Sequence, residues 1–370
     1  MIYLDNSATT KPHAEVLDTF VKASTQYYAN PASLHRLGNE AEDLLESARR
    51  QLKSLLGFER IIFTSGGTEA NNLALRGAAY ANKEKGRHII SCKTEHPSVL
   101  EPLKQLSNEG FDISLLSVDA TGAIDLEELK QALRADTILV SLMQVNNEIG
   151  TIHPLADIRR MLKSTRTLLH VDAVQGIGRL PLDLNQLPDL LTVSGHKLHG
   201  LKNSGLLAVN KAELAPILLG GGQEGGIRSG TVSVPNAAAL AKAVRLARPD
   251  ADHLKWNAEL RSFFAGFKDI HIVSPEGAAP NILAVAIAGV RGETVVSGLQ
   301  EENVIVSTSS ACSSKNKQTS HVIEAIGLPR EYREGTVRIS FGAMTTHQEI
   351  IEFKKHFKRV HQLIKGVEQS

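Results

Sequence analysis

Cysteine is scarce in this chain: its 370 residues hold two, Cys92 and Cys312, far apart and without paired spacing. That excludes a disulfide framework and a closely spaced thiolate zinc site. No apolar run approaches membrane-spanning length, and Met1-Ile2-Tyr3-Leu4-Asp5 lacks the basic segment and apolar core of a signal peptide. A cytoplasmic protein without a membrane partner is therefore expected. Neither sign of charge is in excess, and a formal net charge of +1 provides no electrostatic footprint for direct nucleic-acid binding. The rest is ordinary globular composition, 42% hydrophobic and 22% charged, over a length that implies about two domains.

The most informative stretch is Ser194-Gly195-His196-Lys197, just past the apolar run Leu190 to Val193. With Pro188 and Asp189 before it, that run predicts a short buried strand. A lysine at the mouth of such a strand, with a hydroxyl and an imidazole beside it, suits a Schiff-base amine next to an anionic cofactor. A second apolar strand, Leu168 to Val171, ends in Asp172. In one parallel sheet the two residues would emerge at the same edge, where α/β enzymes place their ligands. An Asp for a pyridinium nitrogen and a Lys for an aldehyde are the two protein groups that pyridoxal phosphate requires. Asp172 could equally cap a helix beginning at Ala173.

Around these, strands and helices alternate: strands Arg60 to Thr64, His88 to Cys92, Ile113 to Val118 and Thr137 to Met143, with helices between them, one expected to start at Pro12. Such alternation implies a mainly parallel sheet. Ser65-Gly66-Gly67-Thr68-Glu69-Ala70 is a glycine turn opening into a helix; it would cradle a phosphate or serve only as a tight turn. His96 falls at a strand end before Pro97, placed to stack on a ring and serve as a catalytic general acid or base, or else to cap the helix or join the core. Asn146 follows another strand end, as a ligand contact or a turn-forming amide. After the Pro/Asp cluster near Arg248 to Asp252 the pattern changes to a smaller α+β unit. We expect residues 12–250 to form a large α/β domain, and residues 1–11 with 251–370 a small one. The small unit carries the long polar loop Ser307 to Ser320, in which Cys312 lies near Lys315 and Lys317, charges that favour a thiolate. Arg338, inside the strand Val337 to Phe341, suits a bidentate clamp for a carboxylate or a surface ion pair.

Along nearly its whole length the chain resembles the cysteine desulfurases of the NifS/IscS type, which share the fold of the class V aminotransferases. The resemblance rests on Asp5 to Thr10, Asn30 to His35, Ser65 to Glu69, Thr94 to Pro97, Asn146 to Gly150, Asp172 to Gln175, Ser194 to Lys197, Arg228 to Thr231, Ser310-Ala311-Cys312, Ser320-His321-Val322 and Arg338. It implies the type I fold of pyridoxal-phosphate-dependent transferases: a mainly parallel seven-stranded sheet in the large domain beside a smaller α+β domain, assembled as a homodimer. It implies the cofactor on Lys197, with His96 stacked on the pyridine, Asp172 at its nitrogen, and Gln175 and Asn146 at its phenolic oxygen. The phosphate would meet Gly67, Thr68, Ser194 and His196, with Thr231 from the other subunit. Asn146 and Arg338 would hold the carboxylate of L-cysteine, Lys197 would shuttle the α-proton, and Cys312 would take the sulfur as a persulfide, leaving L-alanine. Sulfur would then pass to a protein acceptor for Fe–S cluster assembly or tRNA thiolation. A selenocysteine lyase or another class V aminotransferase is the alternative. Gly225 departs from the family's Glu-Arg-Gly run, Leu201-Lys202-Asn203 from its Pro-Lys-Gly, and Ala343 from a larger polar residue.

Overall fold

Strands with every side chain buried, such as those from Thr137 to Met143 and from Leu190 to Ser194, have no solvent face and must be covered on both sides. The computed structural model describes residues 1–184, 186–309 and 320–368. In chain order its first half runs β1 (Ile2–Tyr3), α1 (Ala14–Gln26), α2 (Arg36–Leu56), β2 (Arg60–Thr64), α3 (Gly67–Asn82), β3 (His88–Cys92), α4 (Pro97–Asn108), β4 (Asp112–Leu116), α5 (Leu126–Ala132), β5 (Thr137–Met143), α6 (Leu155–Leu162) and β6 (Leu168–Asp172). There follow β7 (Leu190–Ser194), β8 (Gly205–Val209), α7 (Val234–Leu246), α8 (Ala251–Phe264), β9 (Ile270–Ile272), β10 (Ile282–Ile287), α9 (Gly292–Glu301), β11 (Val304–Ile305), β12 (Ser307–Thr308), α10 (His321–Ala325), α11 (Arg330–Arg333), β13 (Thr336–Ser340) and α12 (His347–Glu368).

The large sheet has seven strands in the order β2-β8-β7-β6-β5-β3-β4. Its neighbouring pairs are parallel except the two made by β8. Because β8 opposes both β2 and β7, those two run the same way. The C-terminal ends of β2, β7, β6, β5 and β3 therefore open on one edge, as an α/β ligand site requires. Asp172 sits opposite Met143 on one side and Thr192 on the other, so the Asp172 and Lys197 ends of β6 and β7 are adjacent.

One face of the sheet is covered by α2, α6 and α7 and the other by α3 and α4. Helix α2 shows why the sequence obeys: Ala41, Leu45, Ala48, Leu52 and Leu56 recur every three or four positions and are buried. Gly57 then ends it in the left-handed region at φ 75°. Pro12 does not begin α1. The His13 ring accepts the Glu15 amide, so the cap falls at His13 and the helix at Ala14.

A second core gathers Phe264, Phe353 and Phe357 among the helices that cover the four-stranded sheet β12-β13-β10-β9. Phe264 and Phe357 meet edge to face at 5.0 Å. The N-terminus belongs here, with β1 parallel to β11 and Asp5 bridging Ser340. From there the chain crosses to the large sheet, where the Thr10 amide donates to the His196 carbonyl at 2.9 Å. This crossing lays Ser7 and Ala8 beside Lys197.

Candidate active site

At the shared edge lies a cavity of about 430 Å³. Its wall includes Gly67, Thr68, His96, Asp172, Gln175, Ser194, His196, Lys197 and Arg338. Lys197 ends a single 3-10 turn that follows β7. The turn is tight enough that a Cβ at Gly195 would come 2.2 Å from Ser204 Oγ, so only glycine fits before His196. The Lys197 Nζ donates to the carbonyl oxygens of Ser7 at 2.5 Å and Ala8 at 2.8 Å.

Asp172 is held at both carboxylate oxygens. Oδ1 accepts the Val174 amide at 3.0 Å and Oδ2 accepts Asn71 Nδ2 at 2.7 Å. Asn71 Nδ2 also donates to Ser98 Oγ at 2.9 Å, and Ser98 Oγ lies 2.8 Å from His96 Nδ1. His96 Nδ1 accepts the Ser98 amide as well, which caps α4 and places the ring proton on Nε2. Burial lowers the His96 pKa, with Asp172 opposing and Lys197 adding to the fall, so the ring is neutral at neutral pH.

Elsewhere on the cavity wall α3 begins without a side-chain cap among the described residues, so its first amides can meet an anion. Gly67 faces Val174 and Ser194, where a Cβ would lie 3.0 and 3.4 Å from their side chains. His196 shares this wall. Its Nδ1 lies 3.1 Å from Thr9 Oγ1, and burial, with Lys197 next, brings its pKa down to about 4. Ser7 Oγ and Asn71 Oδ1 are buried without a partner among the described residues. An uncapped helix end for a phosphate, a carboxylate for a pyridinium, an imidazole for the ring face and an amine for an aldehyde together fit pyridoxal phosphate.

Arg338 is buried on the same wall. Nη2 donates to Asp5 Oδ1 at 2.9 Å and Nη1 to the Asn147 carbonyl at 2.8 Å, while Nε has no partner among the described residues. Glu148 stands beside it on the wall, accepting the Ser320 hydroxyl at 2.6 Å. Burial raises the Glu148 pKa to about 7 against the opposing effects of Ser320 and Arg338.

Two expected site residues stand apart, and a third is not among the described residues. Asn146 lies behind the wall: its Nδ2 donates to the Thr94 carbonyl after β3 and its Oδ1 accepts the Glu148 and Ile149 amides of its own loop, while Asn147 and Glu148 face the cavity instead. Thr231 is exposed and lines two other surface depressions. Cys312 lies outside the described residues. The structure also adds residues to which the sequence reading gave no role: Asn71 and Ser98, outside the motifs, and Glu148 and the main-chain oxygens of Ser7 and Ala8, within them. Asn71 had a faint signal, as an amide on the buried face of α3 among Ala70, Leu73 and Ala74.

Residues 2–353 match the family described as Aminotransferase class-V. The chain is 42% identical over 375 residues to a "NifS/IcsS protein homolog" of Lactobacillus delbrueckii subsp. bulgaricus, covering 98% of this chain and 97% of that protein. It is 39% identical over 360 residues to "Cysteine desulfurase IscS" of Dictyoglomus turgidum, covering 94% and 91%. Among solved structures, one titled "NIFS-LIKE PROTEIN" superposes with a TM-score of 0.90 at 35% identity, covering 98% of this chain and 99% of that one.

Proposed function

Because the chain belongs to the class-V aminotransferase family and is a pyridoxal-phosphate-dependent cysteine desulfurase, we propose that it turns L-cysteine into L-alanine with Lys197 as the proton-moving amine and Cys312 as the sulfur acceptor. The observation that carries this reading is the placement of Lys197, Asp172, His96 and Arg338 on one cavity wall. The bound cofactor supplies an electron sink for the substrate's α-carbon.

The chain's own residues do the rest. Lys197 would hold the cofactor, with Asp172 for the ring nitrogen, His96 for the ring face and Gln175 for the phenolic oxygen. The first amides of α3, Thr68, Ser194 and His196 would take the phosphate. Arg338 takes the substrate carboxylate, and Asp5 and the Asn147 carbonyl fix its guanidinium plane beforehand. Lys197 is placed to remove the α-proton of the bound substrate. The Cys312 thiolate then attacks the substrate sulfur. An S–S bond forms as the C–S bond breaks, the C–S electron pair stays with the organic fragment, and a proton added there gives the methyl group of L-alanine.

Cys92 is a poor rival for this step. Its thiol is fully buried in the core, and burial with Glu95 beside it pushes its pKa up to about 11. The reading extends to a cytoplasmic homodimer of two-domain subunits, divided as 12–250 and 1–11 with 251–370. Support comes from Thr231, which lies outside its own subunit's cavity, and from exposed Leu17, Val21, Leu34 and Leu219. The persulfide would pass its sulfur to a protein acceptor, an Fe–S scaffold or a tRNA-thiolation enzyme.

Incubation with L-cysteine followed by intact-mass measurement tests the assignment. We expect a one-sulfur gain with L-alanine released, kept in Cys92→Ala and abolished in Cys312→Ala. A Cys312→Ala variant that still releases sulfide at the unaltered rate would favour a selenocysteine lyase or another class V activity.

A further inference from the structure

Arg179 follows Gln175 by one helical turn's worth of residues, in the connection after β6, and no motif of the sequence marks it. Its guanidinium is buried, yet among the described residues it meets oxygens of amides rather than a carboxylate. Nη1 donates to Gln175 Oε1 at 2.5 Å and, more weakly, to the Val174 carbonyl at 3.4 Å; Nη2 donates to the Lys197 carbonyl at 2.9 Å. Burial, with Arg338 adding to it, lowers its pKa to about 10, which leaves it charged at neutral pH. A buried cation without a carboxylate is costly to fold around. Such a group needs a reason to be there.

The reason lies in what a guanidinium can and cannot do. It donates and never accepts, so its contact with Gln175 fixes which end of that amide is oxygen. The Gln175 Nε2 must then face the other way, and it donates to the Ser7 carbonyl at 2.9 Å. The same carbonyl receives Lys197 Nζ. One guanidinium thus sets the orientation of the Gln175 amide and ties down the backbone of Lys197. We propose that Arg179 is a positioning residue that holds Gln175 as a hydrogen-bond donor toward the cofactor's phenolic oxygen. Without it the two ends of the amide are nearly isosteric, and the wrong one would set oxygen against an anionic oxygen. This rests on the reading of Gln175 as that oxygen's neighbour.

The test follows the visible absorption of the cofactor-loaded protein as a function of pH, without substrate. A donor at the phenolic oxygen competes with the proton that the Lys197 nitrogen shares with it, so losing the donor moves the titration midpoint up. Losing a buried positive charge nearby moves it the same way. We expect Gln175→Ala and Arg179→Met each to raise the midpoint by about one unit, and Arg179→Lys to recover more than half of the shift. Unfolding of the cofactor-free protein should be unchanged or shifted upward in Arg179→Met, since an apolar replacement removes the cost of burying a charge. Should Arg179→Met fail to fold, Arg179→Gln, uncharged and too short to span both oxygens, carries the same test. If Gln175→Ala shifts the midpoint and neither neutral Arg179 variant does, the role of Arg179 is refuted while that of Gln175 stands. If Gln175→Ala itself shifts nothing, the Gln175 reading fails and this inference with it.

Discussion

Asn71 Nδ2 donates to Asp172 Oδ2 at 2.7 Å, with both side chains buried. The bond joins α3, whose first residues line the cavity, to the end of β6 that carries the carboxylate. Ser98 extends it to His96. The start of α3, Asp172 and His96 are thereby set in mutual register on one cavity wall.

Asn71→Ala should accordingly weaken cofactor retention while leaving the fold intact. A hydrogen bond to a charged group contributes about 1.5–3 kcal/mol, so the loss should be at least about tenfold. Asn71→Asp should be worse, because it sets a carboxylate against Asp172. Fluorescence titration of the cofactor-free variants measures both.

The path from sequence to this arrangement was partly open. Fully apolar strand runs alternating with helical stripes disclose a parallel sheet, because a strand without a polar face has to be covered twice. Once β6 and β7 are parallel neighbours, Asp172 and Lys197 share an edge with no further information. The supports of the site are less legible. The Asn71 partner lies 101 residues away, and the carbonyls that receive Lys197 have no side-chain signature. Asn146 shows the reverse case: placed at the right strand end, its amide closes its own loop.

Arg338→Lys should act on substrate binding. A lysine keeps the charge but cannot reproduce a planar fork held by Asp5 and the Asn147 carbonyl. We expect kcat/KM for L-cysteine to fall by about a hundredfold, mostly through KM, with cofactor affinity nearly unchanged. Steady-state kinetics beside a cofactor titration separates the two effects.

Glu148 gives the stability of the protein a pH dependence of definite sign. Burial raises its pKa from 4.5 to about 7, so over that interval the folded protein holds a proton that the unfolded chain has lost. Its contribution therefore decreases as pH rises through the interval and is level above it. Glu148→Gln keeps an acceptor for the Ser320 hydroxyl and removes the titration. Relative to the unsubstituted protein, the variant should gain on the order of 3 kcal/mol between about pH 5 and about pH 8, seen in thermal unfolding across that range. Parallel curves for the two proteins would contradict this.

Glu224 fastens the loop that leads to Thr231. Its side chain is 1% exposed, pairs with Arg49 through two bonds of 2.7 and 2.9 Å, and accepts the Phe63 amide at 2.8 Å. Glu224→Ala leaves the Phe63 amide without its acceptor and removes two bonds from the half-buried Arg49, which keeps Glu46 and the Ile61 carbonyl. A loss on the order of 3 kcal/mol is expected, measured by denaturant unfolding.

The most direct measurement concerns Lys197 itself. The protein loaded with pyridoxal phosphate is reduced with borohydride, digested and mapped by mass spectrometry. The account predicts a pyridoxyl-phosphate label on Lys197 alone, lost in Lys197→Ala; a label on any other lysine, or none, would contradict it.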